Sequence, residues 1–189
     1  MLVQKHPLIL ASKSPRRQQL LQLMDLKFEI LLKDVDESFP EDLQPFEVAQ
    51  YISEKKANAF LSDCLDAIVI TADTIVSYKT EILGKPQDAD HAFEMLSKLS
   101  GNKHEVYTGV SLAFNGTLNT FYDVTEVQFR RLTPDQIWYY IKNYQPFDKA
   151  GSYGVQDWIG MIAVEKITGS YTNVMGLPTE KLYNALTAY

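Results

Sequence analysis

Residues Ala67 to Val76, Ala-Ile-Val-Ile-Thr-Ala-Asp-Thr-Ile-Val, are apolar and β-branched almost throughout. A run without polar alternation is the pattern of a strand buried on both faces. The sheet that contains it therefore needs other elements packed above and below. Asp73 stands out in this run, and it is expected at the end of the apolar strand. An unpaired buried carboxylate is expensive, so Asp73 needs an N–H, a cation or a metal as partner. Strand ends in α/β sheets favour ligand sites, so a functional carboxylate is preferred here over a capping aspartate in a turn.

The rest of the chain supplies the cover. Leu8 to Ala11 reads as a strand, and Pro15 to Met24 as a helix with Leu20, Leu21 and Met24 facing a core. Phe28 to Leu32 reads as a second strand, followed by an acidic turn, Asp34 to Ser38. Pro45 to Leu61 and Asp88 to Leu99 read as helices, the latter stopped by Gly101. Lys103 to Phe114 and Leu118 to Phe129 flank Asn115-Gly116, the strongest short hairpin signal. Thr133 to Asn143 reads as a helix. A Gly-rich stretch, Gly151 to Gly160, leads to a strand near Met161 to Ile167, and Pro178 to Leu186 closes the chain as a helix. Helices separate the first strands while a hairpin occupies the centre. The expected fold is α/β, a mixed sheet flanked by helices, in one domain of 189 residues.

The net charge of −6 argues against a nucleic-acid or membrane-surface binder, both of which need a positive field. Use of the eleven tyrosines as stacking platforms for single-stranded nucleic acid is disfavoured for the same reason. No apolar run approaches the ~18 residues that span a bilayer. A lone cysteine, Cys64, excludes an internal disulfide and suits a reducing compartment, so a cytoplasmic protein is expected. Cys64 itself reads as a partly buried filler. His6, His91 and His104 are scattered singly and read as structural or exposed, and no Cys/His metal spacing occurs.

Chemistry concentrates in a few stretches. In Ala11-Ser12-Lys13-Ser14-Pro15-Arg16-Arg17, Pro15 suits the first helical position and Ser14 is a natural N-cap. Arg16 and Arg17 then lie in the first turn, where cations oppose the helix dipole. That is poor for stability and sensible if an anion sits at the helix N-terminus beside Ser12 and the two guanidinium forks. Lys56 and Lys85 could each reach a phosphate, with Lys85 fixed in the turn Gly84-Lys85-Pro86. Glu37 could share a metal with Asp73, although a solvated acidic loop is the simpler reading of that stretch. In Lys149 to Gln156, glycines allow close backbone approach, and Gln156 offers an amide donor and acceptor suited to a base edge.

Together these stretches resemble the Maf family of nucleoside triphosphate pyrophosphatases. The resemblance rests on Leu-Ala-Ser-Lys-Ser-Pro-Arg-Arg, Val35-Asp36-Glu37-Ser38, Lys56-Ala57, Ala72-Asp73-Thr74-Ile75-Val76, Gly84-Lys85-Pro86, Tyr107-Thr108-Gly109-Val110, Lys149 to Gln156 and Gly169 to Pro178. It runs from residue 8 almost to the C-terminus. It implies a bent α/β fold of two lobes around a central cleft, related to inosine-triphosphatase-like enzymes. It also implies hydrolysis of a nucleoside triphosphate to the monophosphate and pyrophosphate with a divalent cation, Mg²⁺ or Mn²⁺. Ser12, Arg16, Arg17, Lys56 and Lys85 would contact phosphates. Asp73 would be the proton acceptor, and Glu37 would help with metal or water; whether Asp73 is base or metal ligand stays open.

Arg16, Thr74 and Gln156 match the subgroup that prefers dTTP and UTP. The alternatives are the 7-methyl-GTP subgroup, or a non-catalytic nucleotide-binding regulator linked to septum formation. A homodimer is compatible with the family. The chain departs from the family pattern after Gln156, where it reads Asp157-Trp158-Ile159-Gly160 instead of beginning with glycine. That departure bears on base preference and leaves the catalytic set intact.

Overall fold

In the computed structural model, which describes residues 4–189, the chain begins with β1 (Leu8–Leu10), α1 (Pro15–Leu23), β2 (Phe28–Ile30) and α2 (Pro45–Asn58). Then come β3 (Ile68–Tyr78), β4 (Glu81–Leu83), α3 (Ala89–Leu99), β5 (Lys103–Phe114) and β6 (Thr117–Phe129). The chain ends with α4 (Pro134–Tyr144), a 3₁₀ turn at Ala150–Ser152, α5 (Trp158–Ala163), β7 (Val164–Thr168), α6 (Tyr171–Val174) and α7 (Thr179–Leu186). The expected mixed sheet is present, with seven strands in the order β2-β1-β3-β5-β6-β7 and β4 added to β3. β1 runs parallel to β2 and β3, and the remaining pairs are antiparallel. Among the described residues no helix is long and apolar enough to cross a membrane.

β3 is the centre of the sheet and runs past its apolar stretch to Tyr78, so Asp73 lies mid-strand, opposite Gly109, and not at a strand end. The reason is pairing. β5 follows one edge of β3 without a break from Val69 to Ser77. The other edge is taken by β1 at Ile68 to Ile70 and by β4 at Val76 to Tyr78. Between Ile70 and Val76 that second edge has no strand partner, and Asp73 and Thr74 sit in this gap. β4 itself was not anticipated, because three residues after a turn give no periodicity to read.

Alternation along β3 sends successive side chains to opposite faces. Ile68, Ile70, Ala72 and Val76 enter the main core with Leu96, Leu99, Val110, Leu112 and Phe129. Ile75 and Thr71 face α2 instead: Ile75 packs on Val48, Ala49 and Ile52, and the Thr71 hydroxyl donates to the Ser53 carbonyl at 2.7 Å. The run is thus buried on both faces, as its composition requires. α2 also lies against Gly109 of β5, where a Cβ would stand 2.2 Å from the Ala49 carbonyl oxygen. Only glycine permits this approach, and the approach carries Lys56 of α2 over Asp73.

Other boundaries shift for local reasons. α2 ends at Asn58, not Leu61, in a turn closed by Phe60 N–H to Ala57 O. β2 stops at Ile30, the last residue in register with β1; the Leu31 N–H still donates to the Leu10 carbonyl at 3.3 Å. The strand expected over Met161 to Ile167 is half helix: α5 takes Trp158–Ala163 and β7 starts at Val164. Gly160 explains this, because a Cβ there would fall 1.9 Å from the Val155 carbonyl oxygen, so the chain must turn tightly. Asn115 and Gly116 both have positive φ, 46° and 73°, which is the two-residue hairpin turn read from the sequence. Cys64 is free and half-buried.

His104 is buried against Phe129 and Tyr153, with Nε2 2.8 Å from the Tyr153 hydroxyl and Nδ1 unpaired. Burial pushes its pKa down to about 3. The neutral form is therefore favoured by folding, and stability falls as pH drops below the unfolded value near 6.5. Urea unfolding of His104→Gln should show an acid-side slope shallower by about 1.4 kcal/mol per pH unit between pH 6 and 4; identical slopes would refute this. Gly109→Ala should lower the unfolding free energy by about 3 kcal/mol, read by the same titration at pH 7.5, and an unchanged midpoint would mean that α2 does not approach so closely.

Candidate functional site

The gap in β3 opens into a cleft of about 450 Å³. Ser12, Arg16, Arg17, Glu37, Lys56, Asp73, Thr74, Lys85 and Gln156 all line it, so every candidate read from the sequence comes to one place. Seven lysines and arginines line the cleft against four carboxylates. An acidic protein has placed a cationic surface here.

The start of α1 is built as expected. Pro15 opens the helix, and the Ser14 hydroxyl accepts the Arg17 N–H at 3.5 Å. Arg17 then reaches along the cleft floor. Its Nε donates to the Gly176 carbonyl at 2.8 Å, one terminal nitrogen donates to Ser12 Oγ at 3.2 Å, and the other donates to Thr74 Oγ1 at 3.1 Å. All three acceptors are neutral. Burial lowers the Arg17 pKa, and the nearby Asp73 charge acts against that; a guanidinium stays protonated in any case. The result is a rigid cation with no carboxylate in direct contact.

Thr74 is oriented by residues that sequence reasoning did not assign. The Thr108 hydroxyl must donate to the Asn173 carbonyl, 3.0 Å away, because a carbonyl only accepts. Its oxygen then accepts the Thr74 hydroxyl proton across 3.1 Å. The Thr74 oxygen is left facing Arg17. Asn173 is itself fixed, donating from Nδ2 to Val106 O at 3.0 Å and to Thr125 Oγ1 at 2.9 Å. Thr108 and Asn173 both lie in motifs visible in the sequence, but nothing in those motifs says which residue they orient.

On the opposite face of β3, Asp73 is 2.7 Å from Lys56 Nζ, and Glu37 is 2.9 Å from the same nitrogen. One ammonium therefore gathers both carboxylates. Lys85 lies 3.9 Å from Glu37 and is largely exposed. Desolvation pushes the Glu37 carboxyl up, but Lys56, Lys85 and Arg17 outweigh it and hold the group below its ordinary value. The neighbouring pair repeats the arrangement: Asp36 accepts from Lys55 at 2.9 Å and from the Ser38 N–H at 3.0 Å, and its carboxyl is held well below the usual range. Consecutive lysines of α2 thus pin consecutive acids of the loop before it.

At the far end, Arg16 contacts Asp148 at 3.4 Å, and Asp148 accepts from Lys149 at 2.7 Å. Gln156 turns into the cleft with Oε1 buried and lacking any hydrogen-bond partner. The loop that carries it is tied to the Lys85 turn, since the Gly151 N–H donates to the Gly84 carbonyl at 3.1 Å. Among the described residues no group of three or more His, Cys, Asp or Glu side chains is placed to hold a metal ion. Glu37 and Asp73 offer two hard oxygen donors, at a position where positive charge is already accommodated.

The Maf-like protein family matches residues 7–189. A dTTP/UTP pyrophosphatase of Flavobacterium johnsoniae is 49% identical, covering 98% of this chain and 96% of its own. Another of the same name, from Flavobacterium psychrophilum, is 50% identical over 93% of this chain and 91% of its own. Among solved structures, a HAM1 protein from Coxiella burnetii covers 100% of both chains with a TM-score of 0.53 and 15% identity. The Staphylococcus aureus Ham1 protein gives 0.52 at 15% identity. Likeness at that identity concerns the fold.

Arg17→Lys keeps the charge and loses the fork that engages Ser12, Thr74 and Gly176. Titration calorimetry with inorganic tripolyphosphate as probe should show about tenfold weaker binding than in the wild type at equal ionic strength. Equal affinity would mean that the guanidinium does not serve an anion.

Proposed function

The chain belongs to the Maf-like protein family, and from that premise we propose that it is a nucleoside triphosphate pyrophosphatase acting on dTTP and UTP. The relatives at 49% and 50% identity bear that name. The observation that carries the reading is the division of charge around Asp73: one guanidinium, Arg17, held by neutral oxygens on one face of β3, and a carboxylate pair gathered by Lys56 on the other.

A triphosphate needs its charge neutralised as that charge shifts towards the departing pyrophosphate. Arg17 is suited to this because its position is set before substrate arrives, so little reorganisation accompanies the reaction. Arg16, Lys56, Lys85 and Ser12 complete the phosphate-binding set. Water attacks the α-phosphorus, the bond to the bridging oxygen breaks, and pyrophosphate leaves. Asp73 accepts the proton of the attacking water, and Lys56, 2.7 Å away, holds that carboxylate in place. Glu37 assists through the same ammonium.

A magnesium or manganese ion belongs to this proposal, with Asp73 and Glu37 as the residues that would hold it. Such ions are bound by one or two carboxylates together with substrate phosphates, which fits a site offering two carboxylates. When bound, the ion adds charge neutralisation at the phosphates.

Base preference is assigned to Gln156, with Arg16 and Thr74. A 4-oxo pyrimidine presents an imide N–H between two carbonyls, and a buried amide oxygen without a partner is the acceptor that N–H requires. A neutral carboxamide also gives no advantage to a cationic base such as 7-methylguanine.

Pyrophosphate release should be fast from dTTP and UTP with Mg²⁺ or Mn²⁺, and slow from CTP, dATP, ITP and 7-methyl-GTP. Activity mainly on 7-methyl-GTP would overturn the base assignment, and nucleotide binding without any release would favour a sensor. Asp73→Asn should cut kcat by about 10²- to 10⁴-fold with little change in KM; near-wild-type kcat would remove Asp73 from the chemistry.

A further inference from the structure

We propose that Asp157 and Tyr140 are positioning residues for base recognition, which fix the end of the Gln156 carboxamide that meets the base. This rests on the role given to Gln156 above.

Gln156 sits between Gly154 and Asp157, and a single phenol ties both of those neighbours. The Tyr140 hydroxyl is 2.7 Å from Asp157 Oδ2 and 3.2 Å from the Gly154 nitrogen. A carboxylate only accepts, so the one phenolic proton goes to Asp157, and the phenol oxygen accepts the Gly154 N–H. Tyr140 is fully buried in α4, and burial together with the Asp157 charge pushes its pKa far up, so the proton stays. The loop is closed by the Asp157 N–H donating to the Gly154 carbonyl at 3.0 Å. Lys149 Nζ lies 3.8 Å from the same Asp157 oxygen.

The packing over Gly154 sets the polarity of the amide. A Cβ on Gly154 would lie 2.6 Å from Asp157 Oδ2 and 2.9 Å from Gln156 Nε2. Both atoms therefore border the same small space over Gly154, and Nε2 is the amide end nearer to it. The negative charge attracts the NH₂ group there and repels Oε1, leaving Oε1 as the buried acceptor without a partner. The two ends of a carboxamide are nearly alike in shape, so without a neighbouring charge it turns over readily.

That turn is what separates two substrates. A 4-oxo pyrimidine offers an N–H at ring position 3, which needs the amide oxygen. A 4-amino pyrimidine offers a bare nitrogen there, which needs the amide NH₂. A Gln156 free to turn would serve both; one held by Asp157 serves the first.

The test is steady-state kinetics of Asp157→Asn and Tyr140→Phe with UTP and CTP, with UMP and CMP binding measured by calorimetry alongside. Asp157→Asn still accepts the Tyr140 proton but has no charge. Its UTP-over-CTP ratio of kcat/KM should fall about 3- to 10-fold, with the loss in KM for UTP and in UMP affinity, not in kcat. Tyr140→Phe should shift the ratio in the same direction, and Asp157→Glu should restore part of it. A wild-type ratio in both Asn and Phe variants overturns the proposal while leaving the role of Gln156 standing. A wild-type enzyme without preference between UTP and CTP overturns the role of Gln156 and this proposal with it. Should Asp157→Asn not fold, Tyr140→Phe decides the matter alone.

Discussion

The site depends on an interruption in pairing along β3. One edge of that strand is bonded to β5 throughout, which makes its backbone rigid and fixes the direction of each side chain. The other edge loses β1 after Ile70 and regains a partner only at Val76. Central strands rarely offer an open edge, because unpaired backbone groups demand partners. Here the opening is filled by polar side chains and by the cleft. Asp73 and Thr74 are consecutive, so the pleat sends them to opposite faces, yet the gap lets both reach the same space. A single strand thus presents a carboxylate on the α2 side and a hydroxyl on the α1 side, with no loop needed to bring them together.

Charge is distributed across that boundary in two ways. On the α2 side it is compensated in place: Lys56 holds Asp73 and Glu37, and Lys55 holds Asp36. On the α1 side Arg16 meets Asp148, but Arg17 is not compensated. Arg17 bonds only hydroxyl and carbonyl oxygens, and the proton order from Thr74 through Thr108 to Asn173 ensures that an oxygen, not a proton, faces the guanidinium. Dipoles of this kind hold a cation without cancelling it. The Arg17 charge therefore remains available to an anion at short range, whereas the net charge of −6 governs only the field at a distance. This is how an acidic protein can bind a polyanion.

Much of this was legible in the sequence because it rests on short-range rules. Pro15 and Ser14 mark a helix start wherever they occur together before an apolar stripe, and Asn115-Gly116 marks a hairpin. The apolar run around Asp73 required burial on two faces, and it received it. What was not legible depended on contacts between distant segments. Asp73 was expected at a strand end because its charge breaks an apolar pattern; pairing to β5 carries the strand past it. The short β4, α5 and α6 have too few residues for a period to appear. Thr108 and Asn173 are ordinary polar residues until the fold sets them in line 65 positions apart. Arg16, Lys56 and Lys85 were visible as cations, but which carboxylate each would meet was not.

The departure after Gln156 shows how a local change can be absorbed without disturbing chemistry. A glycine there would leave the loop free to flex, whereas Asp157 adds a charge that must find partners. It finds Tyr140 of α4, which the core holds, and Lys149 of the preceding segment, which lines the cleft. Lys149 also holds Asp148, which in turn contacts Arg16, so the charges run from the Gln156 loop towards the start of α1. Trp158 packs on Tyr139 and Tyr144, on the outer side of α4 and away from the reacting groups. The change therefore acts on α4 and the Gln156 loop, while Asp73, Lys56 and Arg17 are held by β3, α2 and α1. The share of base recognition proposed for Gln156 thus rests on elements other than those that hold the proposed catalytic set, whereas Arg16 of α1 and Thr74 of β3 join the two.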